Sequence, residues 1–182
     1  MAGVSVAAVV TLGGGGDDPN GDTDGAPAAT DARLPESVED VVLVGLGGDE
    51  DRRLGELLGD APIVLNFFAS WCVPCIEEMP DFERVHRDLG DRVSFLGLAA
   101  QDTEDDAIAI VEQTGVTYPT YADPVADALT FFEAMAMPAT VFLAPNGEIL
   151  EVHSRPFDES GLRDKINEHF ELGGVAQDSA GP

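Results

Sequence analysis

Along this chain the spacing of apolar positions changes from block to block, and each spacing predicts an element. Ile63 to Phe68 is an apolar run interrupted only by Asn66, short enough to be a buried strand. Beyond it, Met79, Phe82, Val85 and Leu89 recur at helical spacing, predicting a helix that starts near Cys72, carries Pro80 inside it as a kink, and ends at Gly90. Arg92 to Ala100 reads as a second buried strand. Thr103 and Asp106 resemble a capping box opening a helix through Thr114, with Ile108, Val111 and Ala107 on its core face. Val116 to Tyr121 is extended and broken by Pro119, and Pro124 suits the first turn of a helix to about Ala134. Ala139 to Leu143 and Glu148 to His153 read as a hairpin through Asn146-Gly147. Leu162, Ile166 and Phe170 form the apolar face of a last helix, Glu159 to Phe170, with Gly173-Gly174 as its stop. Upstream, Val41 to Leu46 predicts a first strand, Leu54 to Gly59 a helical turn, and Asp60-Ala61-Pro62 the entry to the central strand. The succession predicts an α/β fold: a mixed central sheet with helices on both faces.

The ends do not follow these patterns. Val4 to Leu12 is apolar, but a membrane span needs ~20 such residues and a signal peptide needs a basic start, whereas the first basic residue is Arg33. Residues 1–12 are therefore expected to be the remnant of a signal anchor, 13–36 a flexible acidic linker, 37–172 the folded domain and 173–182 a disordered tail. With 182 residues there is room for one domain and its extensions, expected to be monomeric. The 35 acidic against 9 basic residues give a formal charge of -26, and with no basic stripe this excludes nucleic acid as a partner. The acidity fits either an ordinary solvated surface or adaptation to high salt.

The chemistry concentrates in Trp71-Cys72-Val73-Pro74-Cys75, which holds both cysteines of the chain. At a helix N-terminus the free backbone N–H groups and the dipole favour thiolate over thiol, so Cys72 is the expected nucleophile and Cys75, one turn further in, the resolving thiol. A bridge this short constrains the unfolded chain little, which points to redox use. Two cysteines cannot build a structural zinc cage, so no metal and no cofactor beyond the redox-active disulfide are expected. Pro74 restricts the backbone of the turn. Trp71 either shields the pair from water or packs as an ordinary aromatic. Glu77, Asp81, Glu83, Arg84, Arg87 and Asp88 look like a solvated helix face, Asp102 to Asp106 like a charged helix start, and Met135 like core; His153 and His169 carry no recognisable constellation.

Trp71 to Pro80, preceded by Leu65-Asn66-Phe67-Phe68-Ala69-Ser70 and followed by Met137-Pro138-Ala139-Thr140, resembles the W-C-x-P-C-x-x-E-x-P pattern of the thioredoxin superfamily, specifically its TlpA/ResA-type membrane-anchored thiol-disulfide oxidoreductases. The resemblance covers Pro62 to about Leu150. It implies a thioredoxin-like fold, a cis Pro138 beside the redox pair, and backbone at Met137 open to an extended partner segment. Where ordinary thioredoxins carry a buried aspartate this chain has Asn66, and the resemblance makes Glu78 the functional carboxylate; a solvated helix-start glutamate is the alternative. It further implies extracytoplasmic work on protein disulfides, with apocytochrome c as one client and a membrane thiol donor as the electron supply. A disulfide oxidase running the reverse flow, or a copper-binding carrier, are the competing functions.

Overall fold

Ile63–Phe68 is buried at every position, and the sheet is built outward from it. The computed structural model describes residues 34–170 and 172. The expected anchor remnant, most of the linker, the tail and the Gly173-Gly174 stop lie outside the described residues. Seven strands and four helices follow one another: β1 (Val42–Gly45), β2 (Arg52–Arg53), β3 (Ile63–Phe68), α1 (Val73–Leu89), β4 (Ser94–Ala100), α2 (Glu104–Thr114), β5 (Thr120–Asp123), α3 (Asp127–Phe131), β6 (Ala139–Leu143), β7 (Ile149–His153) and α4 (Glu159–Phe170). The strand order is β2-β1-β5-β4-β3-β6-β7. β3 pairs parallel with β4 and antiparallel with β6, so the sheet is mixed, as the element order predicts.

Side chains alternate between the two faces of a strand, and that alternation divides β3 between two cores. Val64 and Phe68 point to the face covered by α1, α2 and α4, where Met79, Phe82, Ala107, Leu162 and Ile166 join them. Ile63, Leu65 and Phe67 point to the other face, with Leu96, Leu98, Val141, Ala128 of α3 and Leu54. Asn66 shares the parity of Val64 and Phe68, which aims it at α1. Its register partners are Gly97 on β4 and Thr140 on β6.

The caps explain the boundaries. Thr103 Oγ1 accepts the Asp106 N–H, and Gly115 at φ 69 closes α2 in the left-handed conformation that glycine adopts without steric cost. Gly147, at φ 85, turns the β6–β7 hairpin. α1 runs unbroken through Pro80 to its cap at Gly90.

Four expectations are corrected. The helix expected over Pro124 to Ala134 is only Asp127–Phe131, because Ala126 sits at φ 61 and cannot lie within an α-helix. The buried face of α2 is Ala107 and Ile110, with Ile108 and Val111 only partly covered. Met135 is 90% exposed, not core. Glu83 is not solvated: it is 5% exposed, its carboxylate taking the Thr117 N–H at 2.7 Å, the Thr117 hydroxyl at 2.9 Å and Arg87 Nε at 2.6 Å. Burial works to raise its pKa, but these bonds outweigh burial and hold it below the ordinary carboxylate value.

Glu83 thus ties α1 to the strand entry at Thr117. Glu83→Ala strips the partner from a backbone N–H and a hydroxyl, and is expected to cost about 2 kcal/mol in urea denaturation. Glu77→Ala, on the exposed side of the same helix, should stay within about 0.5 kcal/mol of the parent.

Candidate active site

The chain leaves β3 at Phe68 and enters α1 at Val73, so four residues make the turn that carries the chemistry. Asp102, at the end of β4's neighbouring loop, grips this turn: its carboxylate accepts the Ser70 N–H at 2.6 Å and the Ser70 hydroxyl at 2.8 Å. Cys72 is the N-cap of α1, its N–H donating to the Ala69 carbonyl at 3.0 Å and its carbonyl accepting from Ile76 at 3.2 Å. Pro74 falls in the first turn, where a missing N–H costs nothing. Cys72 and Cys75 are joined in a disulfide, with Cα atoms 5.3 Å apart. Cys72 keeps 5% of its surface exposed and Cys75 none. That difference makes Cys72 the outer and Cys75 the inner member of the pair.

Trp71 is 58% exposed, so it is not packed as core. Its indole N–H donates to the Gln101 carbonyl at 3.2 Å, which pins the ring across the turn. The Met137–Pro138 peptide is cis, Pro138 is buried and Met137 half-buried at the start of β6. Val73, at 63% exposure, and Met135 add apolar surface at the start of α1 and ahead of β6.

Glu78 lies one helical turn beyond Cys75, on the same face of α1. It is 2% exposed, which removes the solvated alternative. Asn66 Nδ2 donates to Glu78 Oε1 at 2.8 Å, and the backbone N–H of Phe157, far along the chain, donates to Oε2 at 2.9 Å. Burial pushes the carboxyl up, the two donors pull it down, and burial wins: its pKa is raised to about 7. Asn66 Oδ1 and Thr140 Oγ1, register partners on β3 and β6, are buried without hydrogen-bond partners. The Tyr118 hydroxyl is likewise unpaired, its pKa raised by burial first and then by the charges of Glu78 and Glu83. A surface pocket of about 300 Å³, lined by Pro74, Glu77, Glu78, Asp81, Phe157 and Asp158, brings solvent to the edge of this carboxyl.

The two histidines that carried no constellation in the sequence share a carboxylate. Glu151 accepts Lys165 Nζ at 2.8 Å and sits 2.7 Å from His169 Nε2 and 3.1 Å from His153 Nδ1. Burial works to raise Glu151, but these three partners hold it down at about 2. Glu151, Glu168 and His169 converge closely enough to hold a metal ion, yet the Lys165 ammonium already lies 2.8 Å and 3.0 Å from the two carboxylates, supplying the positive charge itself.

Sequence reasoning thus placed Cys72, Cys75, Asn66 and Glu78 in one neighbourhood but missed Phe157, Asp102 and the Glu151 cluster. Asp102 had a local signal, its place at the end of a strand just before the Thr103 cap. Phe157 meets Glu78 and Lys165 and His169 meet Glu151 across 14 to 79 residues, while His153, two residues from Glu151, carries no pattern that marks the pair.

Comparison with known proteins gives concordant results. Residues 29–152 match the model of the AhpC/TSA family. The chain is 28% identical over 140 residues to the thiol-disulfide oxidoreductase ResA of Halalkalibacterium halodurans, covering 76% of each chain. It is 28% identical over 124 residues to the ResA of Oceanobacillus iheyensis, spanning 66% of this chain and 64% of that protein. The structure of DsbF from Mycobacterium tuberculosis, in mixed oxidised and reduced forms, superposes with a TM-score of 0.66 at 26% identity, covering 75% of this chain and 98% of that one. The thioredoxin-like fold expected from the motif is therefore the fold observed.

The raised pKa of Glu78 has a consequence for stability. Because its folded value, about 7, exceeds the ordinary 4.5, the native state favours the protonated form. That contribution is fully present below pH 4.5 and is lost as pH rises through 7, amounting to about 3 kcal/mol. Glu78→Gln, which cannot ionise, should therefore gain about 3 kcal/mol on the parent between pH 4.5 and pH 8.5, measured by urea denaturation at both values. A constant difference between the two proteins would show that the carboxyl titrates normally.

Proposed function

The chain belongs to the AhpC/TSA family, and from that premise we propose that it is a thiol-disulfide oxidoreductase that acts outside the cytoplasm as an electron donor to disulfides in other proteins. The observation that carries this reading is a disulfide whose outer member, at 5% exposure, caps a helix N-terminus and whose inner member is fully buried, with the buried Glu78 carboxyl one turn along.

The reaction follows from that arrangement. In the dithiol form, the Cys72 thiolate, stabilised by the N–H groups and dipole of α1, attacks one sulfur of a client disulfide and expels the other as a thiolate. The resulting mixed disulfide joins Cys72 to the client. Cys75 then attacks Cys72, which closes the internal disulfide and releases the second client thiolate. Two electrons have passed to the client. Cys75 must lose its proton to attack, and its full burial disfavours the thiolate. Glu78 suits that proton transfer, since its pKa lies close to the working pH and the pocket at its edge offers an exit to solvent.

The direction of flow rests on the same carboxylate. Its negative charge disfavours a thiolate beside it, raises the thiol pKa values and so destabilises the dithiol relative to the disulfide, which makes the pair a reductant. The exposed Trp71, Val73 and Met135, with the backbone at Met137, offer the client an apolar rim and an extended edge. Apocytochrome c before haem attachment is the client that the motif implies, a membrane thiol donor the electron source, and an N-terminal anchor the tether.

The test is equilibration against glutathione and dithiothreitol buffers. The potential is expected near or below the ~-270 mV of thioredoxin; a value near the ~-120 mV of strongly oxidising pairs would reverse the direction. Cys72→Ser should abolish reduction of a protein disulfide, while Cys75→Ser should accumulate a covalent adduct with it. An adduct formed only by the Cys72 variant would exchange the two roles.

A further inference from the structure

Glu78 receives one of its two hydrogen bonds from a backbone N–H on the segment between β7 and α4, so something must hold that segment in place. Phe157 carries this N–H, and its ring is buried at 8% exposure. Three aromatic rings pack around it. Phe82 of α1 meets it tilted at 6.4 Å and Phe142 of β6 edge-on at 6.1 Å, whereas His153 lies nearly flat against it, 4.2 Å between centroids and 23° between planes. His153 is therefore the closest of the three and covers a whole face of the ring.

The imidazole is itself held. Its Nδ1 lies 3.1 Å from Glu151 Oε1, and an ionised carboxylate only accepts, so Nδ1 carries the proton. Glu151 is in turn fixed by Lys165 and His169 of α4. The charged group facing His153 is Glu151 on its own strand, which pairs in turn with Lys165 and lies beside His169 of α4, Lys165 also pairing with Glu168. A continuous series of contacts runs from α4 through Glu151 and His153 to the Phe157 ring, and through the Phe157 backbone to Glu78.

We propose that His153 is a positioning residue for the thiol-disulfide reaction: its imidazole, anchored on Glu151, clamps the Phe157 ring and so keeps the Phe157 N–H on the Glu78 carboxylate. The proposal rests on Glu78 serving the cysteine pair. His153 touches neither sulfur nor client, and its effect reaches the reaction only through the protonation of Glu78. Without the clamp the carboxylate keeps the Asn66 donor alone, its ionised form loses a partner, and its titration moves to higher pH.

The experiment compares His153→Ala, His153→Gln and His153→Phe. Each variant is read in two ways: the Glu78 carboxyl titration by carbon-13 NMR in the oxidised protein, assigned with Glu78→Gln, and the pH profile of protein-disulfide reduction. Alanine is expected to raise the carboxyl midpoint by about one pH unit and to displace the acid limb of the reduction profile the same way, a tenfold change in rate at a fixed pH on that limb. Glutamine keeps a polar group for Glu151 but no ring and should behave like alanine. Phenylalanine keeps the stacked ring and should restore both readings, which a loss of Glu151 pairing alone would not do. An unmoved carboxyl midpoint in the alanine variant overturns the clamp. A moved midpoint with an unmoved reduction profile overturns the link to the reaction. If the parent protein reduces no disulfide at any pH, the functional reading fails separately, and the carboxyl titration still decides whether His153 holds Phe157.

Discussion

The structure turns on one buried carboxylate. Glu78 stands on α1, is met by Asn66 from β3, and is closed off by the Phe157 N–H from the segment ahead of α4. Three parts of the chain, separated by 12 and by 79 residues from this side chain, thus share a single buried charge. Removing water from a carboxylate is costly unless donors replace it, so the three segments must be in register before the site can close. The same requirement sets the chemistry. Two donors are enough to keep the group from being permanently neutral and too few to keep it permanently ionised, which leaves it near neutrality.

Much of this was legible because it is local. The apolar run of β3, the helical spacing of α1, the Thr103 cap, the Asn146-Gly147 turn and the bounds of α4 each depend on residues within a few positions of one another. The cysteine pair was legible for the same reason, since its reactivity follows from a helix start. What escaped was charge paired over distance. Glu83 reads as one more acid on a polar face until Thr117, 34 residues on, is folded against it. His153 and His169 have no motif because their common partner, Glu151, is two residues from one and 18 from the other. Met135 failed differently, for hydrophobicity says only that burial is favourable, and here an apolar side chain stands in the open.

The acidity takes a different form once the fold is known. Several basic residues are spent on α1 and α4: Arg84 pairs with Asp81 and Glu159, Arg163 with Asp88 and Glu159, and Lys165 with Glu151 and Glu168. With 9 basic residues against 35 acidic ones, most carboxylates have no cation to neutralise them. The exposed pairs contribute little individually, and salt that screens them also screens the larger repulsion among the unpaired acids.

The unequal burial of the two sulfurs also governs what a small oxidant can do to the reduced protein. Cys72 keeps 5% of its surface and Cys75 none, so a small oxidant such as peroxide would meet Cys72 first. Oxidation of Cys72 gives a sulfenic acid, and the neighbouring thiol of Cys75 condenses with it, forming the disulfide and releasing water. The first oxidation step is therefore captured before a second can follow, and the product is the same internal disulfide that turnover forms. Chemical damage and ordinary turnover converge on the same recoverable state.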